Sequence, residues 1–483
     1  MPKYIIFIVL SILLLLPPAL NAEARAVWVL PWGINTPQKV STLVEDAVAT
    51  GQTDLFLEVR YRADALYRPN RKPDKFHNPE YRSHILNGQS FDPLEQVLQE
   101  AQPHGIKVHA WIVVLNATPV DPTLMAKNYI YSNHRDWITF DRNLTRPSAS
   151  ANAGHFIDPG IPEVQQHILN VVGDLLSGYP ELDGLHLDYI RYPNSSLGYH
   201  PISTSRFNSH KETNPIQWNQ WRILQVTSLV EKIRELSRSI NPNLAFSAAV
   251  MPDPKAAATW YAQDWQDWLE RDLVDFVCPM NYPTVMNKFR ENSSAAEAIG
   301  FNHRIWMGLR AYNENGASLA VKPNSRNFNI LDVATRVEDT RARNFAGIVL
   351  FSYDDLIKDG ALAQLCSAIY AEPGLVVTLP ELEFKEEEIK FAADLGVWRE
   401  GNRYSLITQV PFEGIWTLEI LGLEDRVLHR NRRVYLKGQN QEYWNGTLED
   451  GTLIEPGDYF IRFFRHEDSF EYLIPATFPR LEP

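Results

Sequence analysis

The segment Asp183-Gly184-Leu185-His186-Leu187-Asp188-Tyr189-Ile190-Arg191-Tyr192-Pro193 opens as an apolar run and closes on a carboxylate. Its composition is that of a strand buried on both faces, the kind found in parallel sheets covered by helices. Residues two apart share a face, so His186 and Asp188 point the same way. Seven more runs of this texture flank it, at 25–32, 54–61, 107–115, 244–251, 274–282, 304–312 and 346–353. Helical stretches alternate with them. One covers 36–50, with Val40, Leu43, Val44 and Ala47 at helical spacing. Another runs to residue 101 behind Asp92 as cap and Pro93 in the first turn. Residues 162–176 and 218–239 form long amphipathic helices. Eight strand–helix units predict a closed α/β (β/α)8 TIM barrel rather than an open doubly wound sheet, and no glycine-rich nucleotide motif argues otherwise.

The 483 residues divide into three parts. Lys3 precedes an apolar run from Tyr4 to Leu16, followed by small residues up to Ala22. This is the pattern of a signal peptide over 1–22, and the run is short for a membrane span. The mature chain is therefore expected to be secreted or periplasmic, with no membrane span. The barrel is expected over 23–372. Beyond Pro373-Gly374 and Pro380 the pattern changes to short alternating strands such as Tyr404–Thr408, Trp416–Ile420 and Tyr459–Phe464. That alternation predicts an all-β sandwich module over 380–483. A formal net charge of −13 argues against a nucleic-acid partner. The only cysteines, Cys278 and Cys366, lie in apolar surroundings and are read as buried thiols. No metal-ligand cluster or cofactor motif is present in the sequence, so neither a metal nor a cofactor is expected.

Barrel enzymes carry their reacting groups at the C-terminal ends of the strands. Asp188 ends the fourth run, where an apolar residue would serve a core better. The competing reading is a helix cap or a salt bridge with Arg191. Glu58 and Arg60 share a face of the second run and are equally compatible with a simple ion pair. The third run supplies His109 and Trp111, the sixth Asn281 and Tyr282, the seventh Arg310, and the eighth Tyr353 and Asp354. Polar and aromatic groups at nearly every strand end imply a polar pocket. Cleavage of a glycosidic bond requires two carboxyl groups, one to protonate the leaving oxygen and one to attack carbon or activate water.

Several of these residues sit in motifs that resemble the glycosyl hydrolase-like ten family. The motifs are Arg25-Ala-Val-Trp28, Arg60…Asp64-Ala-Leu-Tyr67, Val108-His-Ala-Trp111, Asp183–Pro193 and Gly347…Phe351-Ser-Tyr-Asp-Asp355. The likeness spans about residues 23–370 and implies a (β/α)8 barrel distantly similar to the α-amylase group. A divisome-associated member of that family cleaves peptidoglycan strands stripped of their peptides. By this likeness Asp188 holds the position of the fourth-strand nucleophile or base. The chain departs from its relatives in three places. Tyr189, not a second acid, follows Asp188. Glu58 stands where relatives often have an amide. The fifth strand ends in Met251-Pro-Asp253 and offers no glutamate. The proton donor is therefore open among Glu58, Asp253 and Asp354, in that order. The C-terminal pattern Tyr443-Trp-Asn-Gly446…Pro456-Gly-Asp-Tyr459 is similar to the immunoglobulin-like module of flagellar hook-capping proteins.

The expected function is hydrolysis of an envelope polysaccharide, with peptidoglycan as the first choice. Trp111, Trp28 and Tyr189 are expected to stack on or enclose sugar rings. Arg60, His109, His186, Arg191, Asn281, Tyr282, Arg310 and Tyr353 are expected to hold substrate. The rival reading is a non-catalytic carbohydrate-binding barrel. A third is a scaffold whose C-terminal module recruits an envelope protein.

Overall fold

The structure is a computed structural model. It describes residues 23–369 apart from 73, 74, 315 and 321–327, and most of 396–480 with short interruptions. The expected signal peptide, 1–22, and the expected boundary at 372–380 lie outside the described residues.

Eight parallel strands close into a barrel: β1 (Ala24–Val29), β2 (Asp54–Tyr61), β3 (Lys107–Val113), β4 (Gly184–Asp188), β5 (Ala245–Val250), β6 (Phe276–Asn281), β7 (Trp306–Arg310) and β8 (Gly347–Phe351). Each pairs with its sequence neighbours, and β1 pairs with both β2 and β8, which completes the ring. The helices that follow these strands begin as their sequences require. Thr36 accepts from Lys39 N ahead of helix Pro37–Ala49, and Asp92 accepts from Glu95 N ahead of helix Pro93–Ala101. Val40, Leu43, Val44 and Ala47 are the buried residues of the first of these helices, so its apolar stripe faces the barrel as expected.

Side chains from alternate strand positions fill the interior in layers. The lowest layer is aromatic. Phe276 stacks on Trp306 with centroids 3.9 Å apart, and Phe56 stacks on His109 at 4.6 Å. Gly184 is required beside this floor, because a Cβ there would come within 2.0 Å of His109 Nδ1. Above it lies Trp28, whose indole passes over Gly308, where an added Cβ would meet the ring at 2.7 Å. The third layer opens at the C-terminal ends of the strands and holds Glu58, Trp111 and Asp188. A separate, larger hydrophobic cluster lies between the outer faces of the strands and the surrounding helices.

Seven further strands lie in the C-terminal region, all paired antiparallel: β9 (Gly396–Glu400), β10 (Arg403–Val410), β11 (Gly414–Leu421), β12 (Val427–Tyr435), β13 (Gly438–Trp444), β14 (Gly457–Arg465) and β15 (Glu471–Phe478). They form a three-stranded sheet, β9-β10-β13, and a four-stranded sheet, β12-β11-β14-β15. Tyr404, Leu406 and Trp444 from the first sheet share one buried cluster with Trp416, Leu418 and Phe463 from the second. Two sheets over a common core are the sandwich that the alternating sequence predicts.

Among the described residues no helix is long and apolar enough to cross a membrane.

Candidate active site

The mouth of the barrel is built from strand ends. Asp188 is the last residue of β4, and its strand stops there because Tyr189 turns into the left-handed region at φ 50°. The fourth run is thus shorter than its apolar sequence predicts. The turn brings the Tyr189 backbone N–H onto Asp188 Oδ1 at 2.6 Å. From β3, Trp111 Nε1 donates to Asp188 Oδ2 at 3.2 Å. Burial pushes the Asp188 carboxyl up from its ordinary pKa. Arg191, the Tyr189 N–H, the Trp111 indole and Arg62 all pull it back.

Glu58, on β2, is also buried, and among the described residues nothing donates to its carboxyl. Burial pushes its pKa well up, the charge of Asp188 pushes it further, and Arg62 opposes both. Two carboxyls in one field, one supplied with donors and one without, tend to separate into an ionised and a protonated member. Asp354 follows β8 and accepts from Leu30 N at 3.1 Å. Burial lifts its pKa to about 6, and its charge adds to the rise at Glu58.

Aromatic side chains frame the carboxyls. Tyr282 stacks on Phe351 at 5.5 Å, and burial followed by the charge of Asp188 raises its hydroxyl pKa. Tyr189 lies between two guanidinium groups, Arg62 at 5.4 Å and Arg191 at 4.9 Å from its ring. At the rim, Trp32 is 45% exposed and meets Tyr61 edge-on at 5.5 Å.

The geometry therefore brings together Asp188, Glu58, Trp111, Tyr189, Arg191 and Tyr282. It assigns other expected site residues to different work. Asp253 caps helix Pro254–Tyr261 by accepting from Ala256 N. Arg60 is wholly buried. It grips Glu80 with two nitrogens and reaches the carbonyls of Val113 and Val114, while His167 closes on the same carboxylate at 2.8 Å. Its expected partner Glu58 is not in that network. His109 belongs to the barrel floor, paired with Asp54 at 2.9 Å. Asn281 points outward, donating to Phe289 O and Ser293 Oγ and accepting from Asn292. Tyr353 donates to Asp46 on the first helix at 2.7 Å. Arg310 stays at the rim of β7, its guanidinium 4.2 Å from the Tyr312 ring and its Nε on Tyr312 O.

His186 lies one layer below Asp188. An indole N–H only donates, so Trp28 Nε1 at 3.1 Å makes His186 Nε2 the acceptor. The ring proton is then on Nδ1, facing Ser247 Oγ at 2.9 Å. Burial lowers the His186 pKa well below the usual range, so this ring is a neutral support for the layer above.

Sequence reasoning missed Arg62. It lies one residue past β2, and the strand-end rule extended by that one position selects it. It also missed Phe351, whose apolar side chain gave no chemical signal.

The family pattern glycosyl hydrolase-like 10 matches residues 23–321, from the start of β1 past the end of β7. The chain belongs to this family. It is 29% identical over 220 residues to the glycosyl hydrolase DigH of Escherichia coli K12, covering 40% of this chain and 46% of that relative. The match thus spans about half the length of the curated relative. The glycoside hydrolase domain of PgaB (BpsB) from Bordetella bronchiseptica superposes with a TM-score of 0.55 at 14% identity, over 73% of this chain and 100% of that one. At that identity the likeness concerns the fold. Family and fold together make this a glycosidase-type or carbohydrate-binding barrel.

Proposed function

We propose that the chain is a glycoside hydrolase acting outside the cytoplasm on a cell-envelope polysaccharide, with peptide-free peptidoglycan strands as substrate. The reading is carried by the unequal pair Glu58 and Asp188. Asp188 receives two N–H donors and the field of two guanidinium groups, which favours the carboxylate needed for a nucleophile or base. Among the described residues Glu58 receives no donor, and it feels the negative charge of Asp188, which favours the protonated form needed to deliver a proton to the leaving oxygen. Trp111 fixes the orientation of the carboxylate as well as its charge. Tyr189, Tyr282 and Phe351 offer ring faces and edges on which a saccharide packs. The envelope location rests on the leader-like sequence at 1–22, and the peptidoglycan assignment on the family likeness.

The decisive experiment is incubation of wild type, Asp188→Asn and Glu58→Gln with peptide-free strands, with products read by mass spectrometry. Each substitution is expected to lower turnover by about 100- to 10,000-fold. Undiminished turnover in Asp188→Asn overturns the assignment. Binding without cleavage by the wild type points instead to a carbohydrate-binding barrel.

A further inference from the structure

The mouth holds two cations that act on Asp188 through their field but have no carboxylate in ion-pair contact among the described residues. Arg62 follows β2 and Arg191 follows β4, on either side of Tyr189. Among the described residues neither forms an ion pair, although the chain carries an excess of acidic residues. Arg191 Nη1 reaches Tyr192 O at 3.4 Å and Arg62 bonds the Tyr189 side chain, but Arg62 Nη1 and Arg191 Nε are buried and have no hydrogen-bond partner among the described residues. A buried Nε without a partner is also found on Arg234, but Arg60 and Arg234 each have a carboxylate counter-ion. Arg60 is bound to Glu80 and Arg234 to Asp275. Leaving a buried donor unsatisfied is costly, and more so on a charged group, so two such donors on either side of one ring suit a ligand that brings acceptors. Backbone conformation adds to the argument. Arg62 and Tyr189 both adopt left-handed φ, at 51° and 50°. Such strain in non-glycine residues concentrates where a side chain must be held in a defined place.

We propose that Arg62 and Arg191 form a subsite for a carboxylate carried by the glycan, so that the barrel selects acidic sugar chains over neutral ones. The inference deepens the glycan reading of this site and rests on it. The planar guanidinium groups offer paired N–H donors that match a carboxylate. Tyr189 between them holds the two forks apart and gives the adjoining sugar ring a surface to lie on. In a peptide-free peptidoglycan strand the lactyl ether carries such a free carboxylate, which a peptide would otherwise block.

The test measures binding, so that it does not depend on turnover. Full-length Glu58→Gln protein is titrated, by tryptophan fluorescence, with peptide-free strands and with the same strands after chemical reduction of their carboxyl groups to alcohols. The carboxylated strand is expected to bind about tenfold tighter, and added salt is expected to narrow the gap. Arg62→Gln or Arg191→Gln in the same background is expected to remove most of that preference, and Arg→Lys to restore part of it. Equal binding of the two strands by the parent protein overturns the proposal, as does an equal loss on both strands in the arginine variants. A wild type that keeps the preference but cleaves neither strand would leave the subsite standing and sink the hydrolase reading. One that binds and cleaves both strands equally would do the reverse.

Discussion

The indole Nε1 of Trp111 donates to Oδ2 of Asp188 across 3.2 Å, from one strand of the barrel to the next. The bond favours the ionised carboxylate, because a protonated carboxyl accepts more weakly. Trp111→Phe keeps a large ring and deletes only the donor. The Asp188 pKa is then expected to rise. If Asp188 acts as the ionised group, the acidic limb of the pH–rate profile moves to higher pH. A lost hydrogen bond to a charged group is worth about 1.5–3 kcal/mol, so kcat/KM on peptide-free strands should fall about tenfold or more at pH 6. A profile with an unmoved acidic limb would show that Trp111 only packs.

Glu58 predicts an exchange of activity for stability. Its pKa is raised in the folded chain, while in the unfolded chain it is ordinary, near 4.5. Below that value both states hold the proton and Glu58 is neutral with respect to stability. Above it the unfolded state releases the proton freely and the folded state resists, so stability is lost as pH rises toward the folded value. Glu58→Gln removes the titration. Its Tm is expected to exceed that of wild type by about 2–4 °C at pH 8. The gap should close as the pH approaches 4.5. Thermal melts of both proteins across this range check the sign, and a Tm below wild type at pH 8 contradicts it.

Glu80 behaves in the opposite way. Its pKa is lowered to about 2, because Arg60 and His167 together outweigh its burial. The stability it contributes is fully present above the ordinary glutamate value of 4.5 and is lost progressively as pH falls from there through about 2. Breaking a buried pair on one side typically costs about 3–5 kcal/mol, and Glu80→Gln is expected to lose an amount of that order at pH 7 in urea unfolding. Arg60→Lys should also destabilise, since an ammonium cannot reach Glu80 and two carbonyls at once. The selectivity between acidic and neutral glycans should be unchanged in Arg60→Lys, which separates this arginine from Arg62.

The fold was legible because every barrel strand is buried on both faces, and its apolar run is visible without neighbours. The end of a strand is harder to read. Residues 189–192 continue the apolar pattern of β4, yet the backbone leaves the sheet at Tyr189. Strand-end position selected Asp188, Glu58 and Trp111, which the structure gathers at the mouth, Trp111 bonded to Asp188 and Glu58 within reach of its charge. It failed for Asn281 and Tyr353. The first faces outward on β6 and the second lies past β8, and their hydrogen-bond partners, Phe289, Ser293 and Asp46, are supplied by helices far away in sequence or on the other side of the strand. Arg60 misled for a related reason. Alternation places it on the face of Glu58, but β2 changes register against β3 between Glu58 and Arg60, and Glu80 on the following loop captures the guanidinium. A polar residue at a strand end is thus a site candidate only until its partners are known, and those partners are a property of the tertiary structure.

His109 offers a last test of this point, since its imidazole was expected to hold substrate and instead packs at the barrel floor. The ring fits only because residue 184 lacks a Cβ, which would come within 2.0 Å of Nδ1. The other ring nitrogen is fixed by Asp54 and one ring face by Phe56, so the imidazole has nowhere to retreat. Gly184→Ala is therefore expected to destabilise by overpacking, by about 1–3 kcal/mol or somewhat more. His109→Ala should destabilise too, through a cavity and an unpaired Asp54. In the double variant the new methyl enters the space that the imidazole vacated, so the two losses should not add. A double-mutant cycle in urea is expected to give a favourable coupling of about 1 kcal/mol or more. Strict additivity would mean that Gly184 is not there to make room for His109, and that the floor of the barrel relaxes in another way.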